Sequence, residues 1–261
     1  MLVANLAGSR VEASRDIDRG EDYTCPECHG RVVAKPGRTR TPHFAHAPGA
    51  ACSMAGESAA HLAAKACLAH QFRQQGYTVT IEATSPLRDR RIDVLVGIPT
   101  PAGVRTVAVE VQDSKISVED IKRRNKADRQ AGHVGTLWTF TRRRMTQIVD
   151  AAESEQECRV PDDVRYIANR TGGPVHIIDP DNTAMLAVKF QTVVREGGTS
   201  EWYDEDGELQ WETYPDRVLK SVKTPVLVDG AGFRLRAVAG RYHSPTYQDW
   251  TILATSGISG A

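Results

Sequence analysis

Apolar and polar positions along the chain fall into one helical pattern followed by alternating, strand-type runs. Across residues 56–75, Ala60, Ala63, Ala64, Cys67, Leu68 and Phe72 recur at steps of three and four, which predicts an amphipathic helix closed by Gly76. YTVTIEA (77–83), RRIDVLVGI (90–98) and RTVAVEVQ (105–112) then read as three strands, the last preceded by a Pro/Gly-rich turn. Ser117 suits the N-cap of a polar helix ending near residue 130, with Glu119 and Asp120 in the first turn, where the helix dipole favours acids. HVGTLWTF (133–140) is a fourth strand, able to join the same sheet by a crossover. The expected order is helix, three strands, helix, strand.

The flanks read differently. Residues 1–22 alternate weakly, as a short strand or two. Residues 23–53 are rich in Gly, Pro, Cys and His with little periodic apolar content, so this piece is expected to need a staple. Beyond residue 150, the stretches 164–194 and 218–255 carry short β-type runs between Gly, Pro, Asn and Asp. Three units are expected: a zinc-binding element at 1–55, an α/β core at 56–150, and a β-rich C-terminal domain of unassigned role at 151–261.

At 261 residues, 40% hydrophobic and 25% charged, the composition is that of a globular protein with a real core. No apolar run reaches the length of about 18 residues that a membrane helix needs, and Arg10, Asp16, Asp18 and Arg19 interrupt the start. A cytoplasmic protein without membrane association is expected. The net charge of zero hides a division: residues 1–150 hold 22 Lys and Arg against 16 Asp and Glu, and the remainder 11 against 17. A basic first half suits a polyanion. The acidic, aromatic stretch EWYDEDGELQWE in the second half points instead to a protein partner or self-association through the C-terminal domain.

Five unevenly spaced cysteines are too few for a disulfide framework, which points to metal. Cys25-Pro-Glu-Cys28 is followed by His43-Phe-Ala-His46, a soft N/S set that suits structural Zn2+. The HxxH spacing is short for a finger, leaving open whether both histidines ligate or Cys52 replaces one.

A second set is acidic. Glu57, His61 and Lys65 stand at i, i+4 and i+8 on one helix face; Asp93 lies mid-strand; Glu110 and Gln112 share one side of the next strand, opposite Val107, Val109 and Val111. Acids within apolar strands require compensation. A divalent cation, Mg2+ or Mn2+, would supply it and activate water. Ordinary ion pairs, Asp93 with Arg90 or Arg91 and Glu110 with Lys115, would also do so.

Taken in order, Cys25-x2-Cys28, His43-Phe-Ala-His46, Glu57-x3-His61-x3-Lys65, Arg91-x-Asp93, Glu110-x-Gln112-x-Ser114 and Leu137-Trp138 resemble the competence protein CoiA-like family over roughly residues 1–145. That resemblance implies a restriction-endonuclease-like PD-(D/E)xK core behind an N-terminal zinc-binding element. It further implies Asp93 and Glu110 as Mg2+ ligands, Glu57 as an additional acid, and Gln112 where most of the superfamily has lysine. Lys65 or Lys115 would then supply the missing charge.

Arg88, Arg90 and Arg91, the run Lys122, Arg123, Arg124 and Lys126, and Arg142–Arg144 are placed to flank such a site and hold phosphates, with Lys115 between them. The leading reading is a metal-dependent nuclease acting on DNA, single-stranded or branched forms included, in processing, recombination or uptake. A catalytically weak nucleic-acid-binding protein and a zinc-dependent interaction module are the alternatives.

Overall fold

The computed structural model describes residues 1–52, 54–86, 90–239 and 250–256. The chain opens with β1 (Val3–Leu6), β2 (Ser9–Glu12), β3 (Tyr23–Thr24), β4 (Arg31–Lys35) and β5 (His43–His46), an antiparallel sheet in the order β2-β1-β3-β4-β5. Residues 23–46 therefore carry more apolar order than their composition suggested. Tyr23, Val32, Ala34 and Phe44 are all buried, and the Tyr23 and Phe44 rings meet at 5.0 Å. Alternate residues of three very short strands build this face, and windows that short conceal the period.

Then come α1 (Ala59–Gln74), β6 (Thr78–Thr84), β7 (Arg91–Thr100), β8 (Gly103–Gln112), α2 (Val118–Gln130) and β9 (Thr136–Thr141), in the order expected from the pattern. Ser58 caps α1 by accepting from the His61 amide, and Ser117 caps α2 from the Asp120 amide. Both β6–β7 and β7–β8 pair antiparallel, while β9 returns parallel to β8. Val94, Val96, Val107, Val109 and Val111 pack toward Leu62, Leu68 and Phe72 of α1. Ile121 of α2 joins Trp138 and Phe140 on the other face.

The sheet runs on across residue 150. After α3 (Thr146–Glu153), β10 (Cys158–Arg159) and α4 (Asp162–Thr171), strands β11 (Val175–Asp179) and β12 (Ala184–Arg195) enter it. The hairpin β13 (Gly198–Tyr203)–β14 (Leu209–Tyr214) stands off it, and β15 (Arg217–Leu227) returns, giving the order β10-β15-β12-β11-β9-β8-β7-β6. A last hairpin, β16 (Arg234–Ala239) and β17 (Trp250–Thr255), places Ile252 and Ala254 in the core on the α1 side. Helix α4 falls within the stretch expected to be β-type, and α3 spans the expected boundary at residue 150. In residues 164–171 the β-branched composition reads as strand, but Val164, Ile167 and Ala168 follow a three- and four-residue step, and Gly172 closes the helix in the left-handed region. Among the described residues, no helix is long and apolar enough to cross a membrane.

Candidate metal and phosphodiester site

The first cluster forms where a turn after β3 meets the end of β5. The Cys25 carbonyl accepts from the His29 amide at 3.0 Å, folding Cys-Pro-Glu-Cys back on itself. Sγ of Cys25 lies 3.8 Å from Sγ of Cys52, and Sγ of Cys28 lies 3.3 Å from Nε2 of His46. All four ligand atoms fall within 4.8 Å of one another. Tetrahedral zinc with Zn–S bonds of about 2.3 Å places two sulfurs about 3.8 Å apart, so the donor set and its spacing fit this ion. Burial pushes the Cys25 thiol up to about 11, an environment that favours the thiolate only when a cation stands beside it. His43 lies outside the cluster: its Nδ1 sits 2.9 Å from the Thr41 carbonyl oxygen. Residues three apart in a strand point to opposite faces, so the HxxH pair divides and Cys52 completes the set.

The second cluster lies where α1 crosses β6, β7 and β8. Glu57 precedes the Ser58 cap and is not part of the helix, yet its carboxylate still meets the residues one and two turns on. Fully buried Lys65 places Nζ 2.6 Å from Glu57 Oε1, 2.6 Å from Glu82 Oε1 and 3.9 Å from Asp93 Oδ1. Asp93 Oδ2 stands 3.3 Å from His61 Nε2 and accepts the Val111 amide at 2.9 Å. Burial alone would raise the Asp93 pKa, but His61, Lys65 and that amide hold it well below the usual carboxylate range. Burial lowers His61 and Lys65, and their carboxylate neighbours more than reverse this, so both end raised. Glu57, His61 and Asp93 bring one ligand atom each within 4.8 Å.

Glu110 does not join them. It sits opposite Asp93 in the β7–β8 register, since Val94 pairs with Val109, but the two carboxylates part. Val109 and Val111 pack toward α1, so the pleat sends Glu110 to the α2 side. There Arg90 donates to Oε1 and Arg124 to Oε2 at 2.5 Å, and burial pushes the carboxyl up to about 7. Asp93 reaches α1 because the alternation slips beside it: Ile92 packs with Ala83 and Ala108 on one side, Val94 with the α1 cluster on the other. Facing this slip, Glu82 adopts a left-handed φ of 51°. Arg10 of β2 donates to the Ile81 carbonyl and, at 2.9 Å, to that of Glu82, while Glu82 Oε1 accepts the Leu2 amide at 2.8 Å.

The Glu57–His61–Asp93 group opens onto a cleft of about 460 Å³ that Gln112, Arg91, Arg124 and Arg143 also line. Asp113 ties its mouth together, accepting from the Ser58 hydroxyl, from Thr141 Oγ1 at 2.5 Å and from Arg143.

Two family models match the chain: the N-terminal domain of competence protein CoiA over residues 7–55, and the CoiA nuclease-like domain over residues 57–158. Together they cover more than half of it. The chain belongs to the competence protein CoiA family. The CoiA N-terminal match holds the cysteine cluster, and the CoiA nuclease-like match begins at Glu57 and contains every lining residue of the cleft but Gly56. No curated protein and no solved structure matches the chain.

Within the CoiA nuclease-like part, the basic residues divide. Arg91 lies 3.1 Å from Glu27 and 3.7 Å from Glu57, and with Arg124 it faces the cleft. Arg90 is buried against Glu110, not offered to phosphate. Arg123 pairs with Asp120 at 2.7 Å and Lys122 lies 5.5 Å above the Tyr166 ring. Lys115 and Lys126 are exposed and neither lines the cleft, whereas Lys65 meets its carboxylates. Arg88 falls outside the described residues. Sequence reasoning passed over Glu82 and Asp113. Glu82 carried the same signal as Asp93, an acid within an apolar strand; Asp113, just past a strand end, carried none.

Proposed function

We propose that the protein hydrolyses DNA phosphodiesters with Mg2+ or Mn2+ held by Glu57, His61 and Asp93, in DNA processing, recombination or uptake. The observation that carries this reading is the convergence of those three donors on a cleft whose other walls carry Arg91, Arg124 and Arg143. Two carboxylates and an imidazole are donors that such a cation accepts, and the imidazole favours Mn2+ over Mg2+. When bound, the cation would polarise a phosphoryl oxygen and lower the pKa of water.

The chain's own residues do the rest. Lys65 holds Glu57 and Asp93 in place from beneath. Arg91, Arg124 and Arg143 neutralise the phosphate, and Gln112 hydrogen-bonds to it or to the attacking water. Glu110 positions Arg124 from behind. The order α1-β6-β7-β8-α2-β9 supports a PD-(D/E)xK core, and the cysteine cluster supports a structural zinc.

Cleavage of single-stranded, duplex and branched DNA, assayed with Mg2+ and with Mn2+ and repeated with Asp93→Asn, tests the reading. Metal-dependent cleavage that disappears in the variant supports it. Gln112 in place of lysine, together with Glu110 held by two arginines, favours a second reading, a DNA-binding protein of weak activity. DNA affinity without metal-dependent cleavage selects that one.

A further inference from the structure

Arg143 lines more than the cleft. The same arginine lines a neighbouring groove of about 890 Å³, floored by Ala60, Ala63 and Ala66 on the outer face of α1. Arg142 and Thr146 form part of its wall. Its acids are Asp179, the last residue of β11, and Asp181 in the turn that follows, against Arg40, Arg142 and Arg143. Thr39 and Arg40 line this groove and also a third hollow, of about 760 Å³, on the N-terminal sheet. Arg15, Arg19, Lys35, Arg38 and Arg40 line that hollow, and among the described residues no acid does.

The basic hollow is built rather than incidental. Arg15 Nη1 donates to the Gly37 carbonyl at 3.3 Å and the Arg38 carbonyl at 2.8 Å, fixing the turn that presents Arg38 and Arg40. Gly37 has φ of 59°, and a Cβ there would lie 2.4 Å from the Arg40 carbonyl oxygen, so the turn requires glycine. Five cations around one concavity repel one another, and a polyanion relieves that repulsion.

We propose that the hollow and the alanine-floored groove form a track for the sugar–phosphate backbone of a single DNA strand, ending at the Glu57–His61–Asp93 cleft. The identity of the polyanion rests on the nuclease reading; the track itself rests on the shared linings. Small side chains on the floor let a strand approach α1 closely. Hollows of about 760 and 890 Å³ match a few nucleotides of one strand rather than both strands of a duplex.

Anisotropy with labelled oligodeoxynucleotides of rising length, without added Mg2+ or Mn2+, tests the track independently of cleavage. The variants are Arg38→Glu/Arg40→Glu and Lys35→Glu, all at exposed positions, with exposed Arg105→Glu at the far end of β8 as control. Parent affinity should rise with strand length. The double variant should lose that rise, and its salt slope should shrink by about 1.4, or about 0.7 for each phosphate contact removed. Lys35→Glu should shrink it by about half as much, and Arg105→Glu should change nothing. Circular dichroism and zinc content confirm that the variants are folded. An unchanged slope in the double variant overturns the track, as does equal weakening by Arg105→Glu or duplex bound as tightly as single strand. If these losses appear but no protein cleaves DNA, the track stands and the hydrolytic reading falls.

Discussion

Lys65 is central to the electrostatics of the site: its fully buried ammonium stands among Glu57, Glu82 and Asp93, and the Met1 ammonium also meets Glu57, at 3.1 Å. Removing one member of such a group leaves the others uncompensated. Lys65→Met should therefore lower stability by about 3–5 kcal/mol in urea unfolding. Asp93 is part of the same network, so an alanine there confounds chemistry with folding. Asp93→Asn keeps the shape and the Val111 hydrogen bond. It should reduce metal-dependent cleavage roughly a hundredfold or more with circular dichroism unchanged, a result that assigns Asp93 to the chemistry. Glu110→Gln should leave Mn2+ affinity little changed by titration, because its oxygens serve Arg90 and Arg124. Residue types at Glu57, His61 and Asp93 were legible from spacing. The direction of Glu110 was not, because it depends on which of two alternating faces the valines on either side choose to pack.

Between elements, the N-terminal sheet and the nuclease-like core are mechanically joined. Arg10 on β2 holds the β6 backbone at Ile81 and Glu82, and the Leu2 amide holds the Glu82 carboxylate that turns toward Lys65. The cysteine cluster lies at the ends of the same sheet, so a metal there bears on the site without touching it. Chelating zinc should expose amides of residues 25–30 and 47–52 to hydrogen exchange while β4, β7 and β8 stay protected, since Tyr23 and Phe44 still anchor the sheet in the core. A Tm loss of roughly 10 °C would correspond to about 3 kcal/mol in a chain of this size. A protein unchanged after complete zinc removal would show the cluster to be structurally idle. At this scale the long periodic segments, α1 and β6 to β9, were readable because many residues vote on one period. Strands β1 and β2 were expected within residues 1–22, but β3 to β5 and the helices α3 and α4 were not, being short enough for composition to outweigh spacing.

At the scale of the whole molecule, the sheet and core cross the end of the family match. His176, Ile177 and Ile178 of β11 pair parallel with Thr139, Phe140 and Thr141 of β9, and Val164, Val175 and Val188 pack with Trp138 and Phe140. Strand partners separated by two helices leave no local mark in a sequence, which is why residues 151–261 read as a unit apart. A fragment ending at residue 158 should consequently expose the Trp138–Phe140 face and fail to show a cooperative transition by calorimetry. One buried group in this shared sheet also sets an acid limit. His176 is buried, its Nε2 accepts the Ala254 amide at 3.2 Å, and burial lowers its pKa to about 4. The folded state thus keeps the imidazole neutral, while the unfolded chain takes up a proton near pH 6.5. Stability from this group is complete above pH 6.5 and is lost progressively as pH falls toward 4, reaching about 3 kcal/mol. His176→Gln retains an acceptor for Ala254 but does not titrate. In urea unfolding across that window, the parent should lose stability faster than the variant, and the gap between them should close from the high-pH side. Parallel pH profiles would mean that His176 protonates in the folded protein as readily as in the unfolded one, and that the β11–β17 contact is open to water.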